Sequence, residues 1–87
     1  MVNQMNKILI ELFIPMLDQR LELFIPINKT FYQTSILIQK AIMEMTNGAY
    51  KISDKAIFYN QTTGKSYDIN EIVKNSDLQN GSSLLLI

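Results

Sequence analysis

The sequence predicts an α+β domain in which a small β-sheet packs on one long helix, and three observations predict it. KILIELFI (7–14) and RLELFIPI (20–27) are short runs dense in Ile, Leu and Phe, separated by a polar break at Asp18 and Gln19. NKTFYQTSILIQKAIMEMTNG carries a helix start, one apolar stripe and a helix stop. The last residues, SSLLLI, form a buried strand directly after the sharp turn Asn80-Gly81.

The first two runs share the pentapeptide Glu-Leu-Phe-Ile-Pro, closing at Pro15 and again at Pro26. Each is too short for a typical helix and rich in strand-favouring residues. A stacked-repeat architecture needs at least about three units at a fixed period, and the pentapeptide does not return. The doubling is therefore read as a hairpin, whose antiparallel neighbours share the same two faces. Each proline falls near a strand end, where a missing N–H does least damage.

Thr30 followed by Gln33 is a capping-box pattern: the hydroxyl can satisfy an orphan N–H of the first turn while the amide reaches back. Phe31, Ser35, Ile38, Ile42 and Met45 then fall on one line at helical period. Asn47-Gly48 tolerates left-handed geometry and ends the helix, which is expected over Phe31–Thr46, with Met43 and Met45 as core or edge packing. Beyond a loop around AYKISDK, AIFYN reads as a short strand, QTTG as a turn, KSYD as a further short strand or edge, and INEIVKNSDLQNG as a short helical turn and loop. The expected order is β-β-α-β-β-(short helix)-β.

Eighty-seven residues with 47% hydrophobic content fit one domain: a flexible N-terminal tail over 1–6 and a single folded unit over 7–87. Eight basic and eight acidic side chains cancel, which leaves no bulk field for nucleic acid or an anionic membrane. The absence of Cys and His removes disulfides, thiolate chemistry and the usual soft metal ligands. The apolar stretch Ile8–Leu17 is interrupted by Glu11 and Pro15 and is far short of the roughly 20 residues that span a bilayer. The N-terminus lacks the layout of a secretion signal, so a cytoplasmic location is expected.

Catalytic readings find little support. TTGKS (62–66) invites a phosphate-loop reading, but the first glycine of that motif would stand where Tyr59 is, and no long helix follows. A hairpin turn is the better reading. The acids are scattered singly, and no spacing pairs a serine with a base. No enzyme activity, cofactor or metal is expected.

From Lys7 onward the pattern resembles the ubiquitin-like β-grasp fold. The closest stretch is AIFYNQTTGKSYDINEIVKNSDLQNGSSLLLI, where Leu78, Gly81, Ser82, Leu84 and Leu86 carry the match. The resemblance implies a mixed sheet of strand order 2-1-5-3-4 packed on the helix. Conjugated ubiquitin and the β-grasp sulfur carriers end in a flexible Gly-Gly tail, whereas this sequence ends at Ile87 in its final strand, so a non-conjugated module is expected. The size and the NGSSLLLI finish are similar to the YukD/EsaB type of small protein associated with type VII (WXG100) secretion, which implies a cytoplasmic accessory of such a system. The alternatives are a β-grasp carrier or modifier, or a small assembly subunit unrelated to secretion.

In such a sheet one face packs on the helix and the other meets solvent, so outward positions should be polar. A lone carboxylate beneath the helix would carry a severe desolvation cost, which sets Glu11 and Glu22 outward. Alternation then buries Ile8, Ile10, Leu12 and Ile14, with Leu21, Leu23, Ile25 and Ile27. The same parity turns Leu9, Phe13 and Phe24 outward, with Leu85 and Ile87 in the last strand and Ile57 and Tyr59 in the third. Under the implied strand order these seven form one continuous apolar patch, the expected contact surface for a protein partner or for self-association. Ubiquitin uses an apolar patch on this face, with Ile57 and Ile87 near the matching positions. A tail or loop folded over the patch, or a shifted register, is the competing reading.

Overall fold

A computed structural model describes residues 6–87. The two apolar runs form β1 (Lys7–Ile14) and β2 (Gln19–Pro26), paired antiparallel. Between them Pro15–Leu17 make one 3-10 turn, with Pro15 at its first position where no N–H is needed. Asp18 closes the turn in the left-handed region at φ 52°, its N–H donating to the Pro15 carbonyl. The hairpin reading of the duplicated pentapeptide holds, and its second proline is the last residue of β2. Of the expected tail over 1–6, only Asn6 is among the described residues. Its carbonyl accepts from the Ile27 N–H at 2.9 Å.

The long helix α1 (Phe31–Met45) starts where the sequence places it. Thr30 Oγ1 accepts from the Gln33 N–H and Gln33 Oε1 accepts from the Thr30 N–H, so both halves of the capping box form. Two other orphan donors of the first turn are also met: the N–H groups of Phe31 and Tyr32 donate to the carbonyls of Glu71 and Ile69. The short 3-10 turn Val73–Asn75 is held by the same connection, with the N–H groups of Val73 and Lys74 bonded to the carbonyls of Lys29 and Ile27.

Strands β3 (Phe58–Asn60) and β4 (Ser82–Leu86) complete a four-stranded sheet of order β2-β1-β4-β3. β4 runs parallel to β1 and antiparallel to β3, so the sheet is mixed as expected. The inner face follows the predicted parity. Ile10, Leu12, Ile14, Ile25, Phe58, Leu84 and Leu86 are buried against Phe31, Ile38 and Ile42 of α1. Fully burying each such side chain contributes roughly 1.5 to 3 kcal/mol, and this layer holds the domain together.

Two expectations are corrected. KSYD is not a fifth strand; it makes a single bridge, Ser66 to Tyr59. Tyr67 is drawn inward, where its ring stacks on Phe31 at 4.7 Å and its hydroxyl donates to Asp77 Oδ1 at 2.7 Å. The Tyr67 N–H still donates to the Phe58 carbonyl at 3.1 Å, and the pairing stops at Asp68, where the N–H groups of Asn70 and Glu71 bond to the Asp68 side chain and carbonyl in a turn. Met45 does not continue the buried stripe but is 65% exposed. The buried helix positions end at Ile42, and the last turn projects past the core before Asn47 and Gly48 reverse the chain at positive φ.

One wholly buried polar side chain of α1 is fully bonded. Gln39 Nε2 donates to Ser35 Oγ and to the Ser53 carbonyl, at 2.8 and 2.9 Å, and Gln39 Oε1 accepts from the Tyr50 hydroxyl and the Ser53 N–H, at 2.9 and 2.8 Å. All four bonding positions of the amide are filled. The amide pins the connection between α1 and β3 to the helix.

Candidate functional site

The outer face of the sheet is built by register. Leu9 stands opposite Phe24, Glu11 opposite Glu22, and Phe13 opposite Arg20. Across the parallel seam Glu11 aligns with Ser83 and Phe13 with Leu85, and Leu85 pairs with Tyr59. Beyond β4, Ile57 and Ile87 exchange two backbone hydrogen bonds of 2.7 and 3.1 Å. All seven residues expected on this side alternate with buried neighbours. Phe24 is 64% exposed and Ile87 57%, while Leu9, Phe13, Ile57, Tyr59 and Leu85 are half-buried.

The arrangement is nevertheless not one continuous patch. Glu22, Glu11 and Ser83 form a polar row across it. Leu9 and Phe24 lie on one side of this row. Phe13, Leu85, Tyr59, Ile57 and Ile87 lie on the other, where Tyr59, Leu85 and Ile87 line a shallow depression. The same two carboxylates that fix the parity of the strands interrupt the apolar surface.

Two features of the face escape a reading by alternation alone. The Arg20 guanidinium lies over the Phe13 ring, 5.0 Å from its centroid, and covers part of it through a cation–π contact. The Ser83 hydroxyl donates to Glu11 Oε1 at 3.0 Å. Both follow from register: the first from the β1–β2 pairing that the hairpin turn sets, the second from the parallel β1–β4 pairing, which no local turn sets. Away from this face, on the helix layer, Tyr32 and Leu37 of α1 are exposed, 38% and 49%. Leu37 falls outside the buried stripe and carried no signal of its own.

TTGKS is a turn. The N–H groups of Thr62 and Thr63 donate to Asn60 Oδ1, and that of Gly64 donates to the Asn60 carbonyl. Gly64 takes φ 77°, a conformation suited to glycine. The donors that would have to cradle a phosphate are thus spent within the turn. Beside it, Lys65 approaches Asp77 at 3.8 Å and lies over the Tyr67 ring. Burial, the hydrogen bond to Asp77 and the nearby acidic charges raise the Tyr67 pKa above its ordinary value, with the Asn60 hydrogen bond opposing. This cluster braces the turn against the core. Among the described residues no three His, Cys, Asp or Glu side chains gather as a metal site would require, and no helix is long and apolar enough to cross a membrane.

No protein-family model and no curated protein matches the sequence. Solved structures do match its fold. Ubiquitin of Caldiarchaeum subterraneum superposes with a TM-score of 0.61 at 16% identity, over 93% of this chain and 91% of that one. The ubiquitin-like domain of an Arabidopsis thaliana protein gives 0.62 at 13% identity, over 99% and 81%. A chain of a MycP5-free ESX-5 inner membrane complex gives 0.74 at 8% identity, where 94% of this chain matches 21% of the larger one. The protein has the ubiquitin-like β-grasp fold: one helix on a mixed four-stranded sheet.

Proposed function

We propose that the protein is a ubiquitin-like binding module, a cytoplasmic accessory of a type VII-like secretion system, whose outer sheet face docks a protein partner. The carrying observation is the exposure of Phe24 and Ile87 on a sheet face that also presents Leu9, Phe13, Ile57, Tyr59 and Leu85. Exposed apolar areas on one face mark interaction sites, and covering the two that flank the Glu22–Glu11–Ser83 row releases roughly 25 cal/mol per Å². The secretion part of the reading rests on the resemblance to YukD/EsaB-type proteins. The fold shared with a chain of an ESX-5 inner membrane complex puts such a domain in the company of a membrane assembly.

The test substitutes the face and leaves the core intact. Phe24→Lys and Phe13→Glu keep the circular dichroism spectrum and the urea midpoint of the parent. Each lowers recovery of secretion-complex components in quantitative affinity purification from the native host by at least tenfold. Equal recovery with both variants removes the outer face. Recovery that depends on the face but contains no secretion component removes the secretion role alone.

A further inference from the structure

We infer that the outer face receives an amphipathic helix of a partner protein, whose contact stripe carries one lysine or arginine flanked on both sides by apolar residues. This rests on the reading of that face as a docking surface and specifies what docks there.

The charge sets the centre of the stripe. Glu11 and Glu22 are direct cross-strand partners between two apolar areas. Among the described residues the only ion pair is Lys65–Asp77, away from this row. The two basic residues of the face lie outside the row: Arg20 rests on Phe13, and Lys7 stands beyond Leu9, opposite Pro26. The Ser83 hydroxyl is the one side-chain donor to Glu11, and none to Glu22 is present among the described residues. An apolar occupant would strip water from two carboxylates and return nothing, whereas a cation placed between them offsets that loss.

The flanks set the spacing. Outward residues two apart on a strand are separated by about 7 Å. Leu9 and Phe24 therefore lie one such step to one side of the carboxylates, and Phe13 and Leu85 one step to the other. Residues four apart on a helix rise about 6 Å, so an apolar–basic–apolar series at i, i+4 and i+8 meets all three rows.

The backbone sets the element. β1 is hydrogen-bonded along both edges, to β2 and to β4, and the middle of the face has no free N–H or C=O to pair with an extended peptide. A strand laid there would bury unsatisfied groups of its own, while a helix satisfies its backbone internally. A second copy of the chain fits poorly. Two-fold packing of identical faces about their centre brings four glutamates together.

The experiment titrates the isotopically labelled full chain with two synthetic Ala/Gln-based helical peptides of 20 residues, one carrying Leu-x-x-x-Lys-x-x-x-Leu and the other the same series with Glu at the centre. The lysine peptide is expected to shift the amide resonances of Leu9–Phe13 and Arg20–Phe24. It should bind at least tenfold more tightly than the glutamate peptide, a preference that shrinks at high salt and vanishes in the E11Q/E22Q double variant. Equal binding of both peptides on this face overturns the basic stripe and leaves the docking surface standing. Shifts confined to α1 around Leu37, or none at all, overturn both. Concentration-dependent shifts of Phe13, Phe24 and Ile87 in the protein alone make a second copy the occupant and overturn the partner helix.

Discussion

Glu11 and Glu22 face each other across the β1–β2 ladder, like charge against like charge, in the middle of the outer sheet face. Directly opposed like charges destabilise a strand pair by a few tenths to about 1 kcal/mol, so the row carries a cost that packing within the domain does not require. Glu22→Lys converts repulsion into attraction and is expected to raise stability by about 0.5 kcal/mol in urea denaturation at low ionic strength. The gain should narrow in high salt, where exposed charges are screened. A midpoint at or below that of the parent would show that the pair is not strained.

Gln39 holds Tyr50 and Ser53 to the helix through three hydrogen bonds at a fully buried position, with a fourth to Ser35 of the helix itself. Gln39→Leu keeps the volume and strands Tyr50 Oη, Ser35 Oγ and both backbone groups of Ser53. At about 1 to 3 kcal/mol for each buried group left without a partner, and allowing for local relaxation, the expected loss is roughly 2 to 5 kcal/mol. Amide exchange between Ala49 and Lys55 should quicken beyond the global change. A loss below about half a kcal/mol would mean that water replaces the amide without penalty.

How much of this was legible depends on how local each signal is. The hairpin, the capped helix and the inner-face parity rest on nearest-neighbour rules, and Glu11 and Glu22 alone were enough to orient two strands. Gln39 was not legible because its partners lie 11 and 14 residues away in a connection with no periodicity of its own. KSYD misled too. It alternates like an edge strand, and Tyr67 points inward onto Phe31 as in one, but the turn at Asp68 ends the pairing with β3 after a single bridge. The candidate face was legible as a set of seven outward residues. Its division into two apolar areas was not, because rows across a sheet depend on register, which the outward parity of each strand taken alone does not specify.

Thr34 Oγ1 is buried in the first turns of α1 and has no hydrogen-bond partner among the described residues. An unpaired hydroxyl in the core costs free energy that an isosteric methyl does not. Thr34→Val is therefore expected to raise stability by about 1 kcal/mol, the two residues having similar helix propensity. Thermal and urea unfolding should agree on the sign. A destabilised variant would show that the hydroxyl is bonded in solution.

The alkaline limb of stability should report the buried tyrosines. Burial raises the pKa of Tyr50 and of Tyr67, and at Tyr67 the acidic neighbours Asp77 and Glu71 add to the rise while the Asn60 hydrogen bond works against it. The unfolded chain ionises its tyrosines near pH 10. Below that value both states are protonated and the contribution to stability is complete. Above it the unfolded state binds fewer protons than the native state, so stability falls as pH climbs through the raised native pKa. Tyr67→Phe is expected to lose about 1 kcal/mol near pH 7, from the broken bond to Asp77, and yet to decline less steeply than the parent between pH 9.5 and about 11. Urea midpoints measured across the interval decide the matter: parallel declines would place the Tyr67 hydroxyl in solvent and detach it from Asp77.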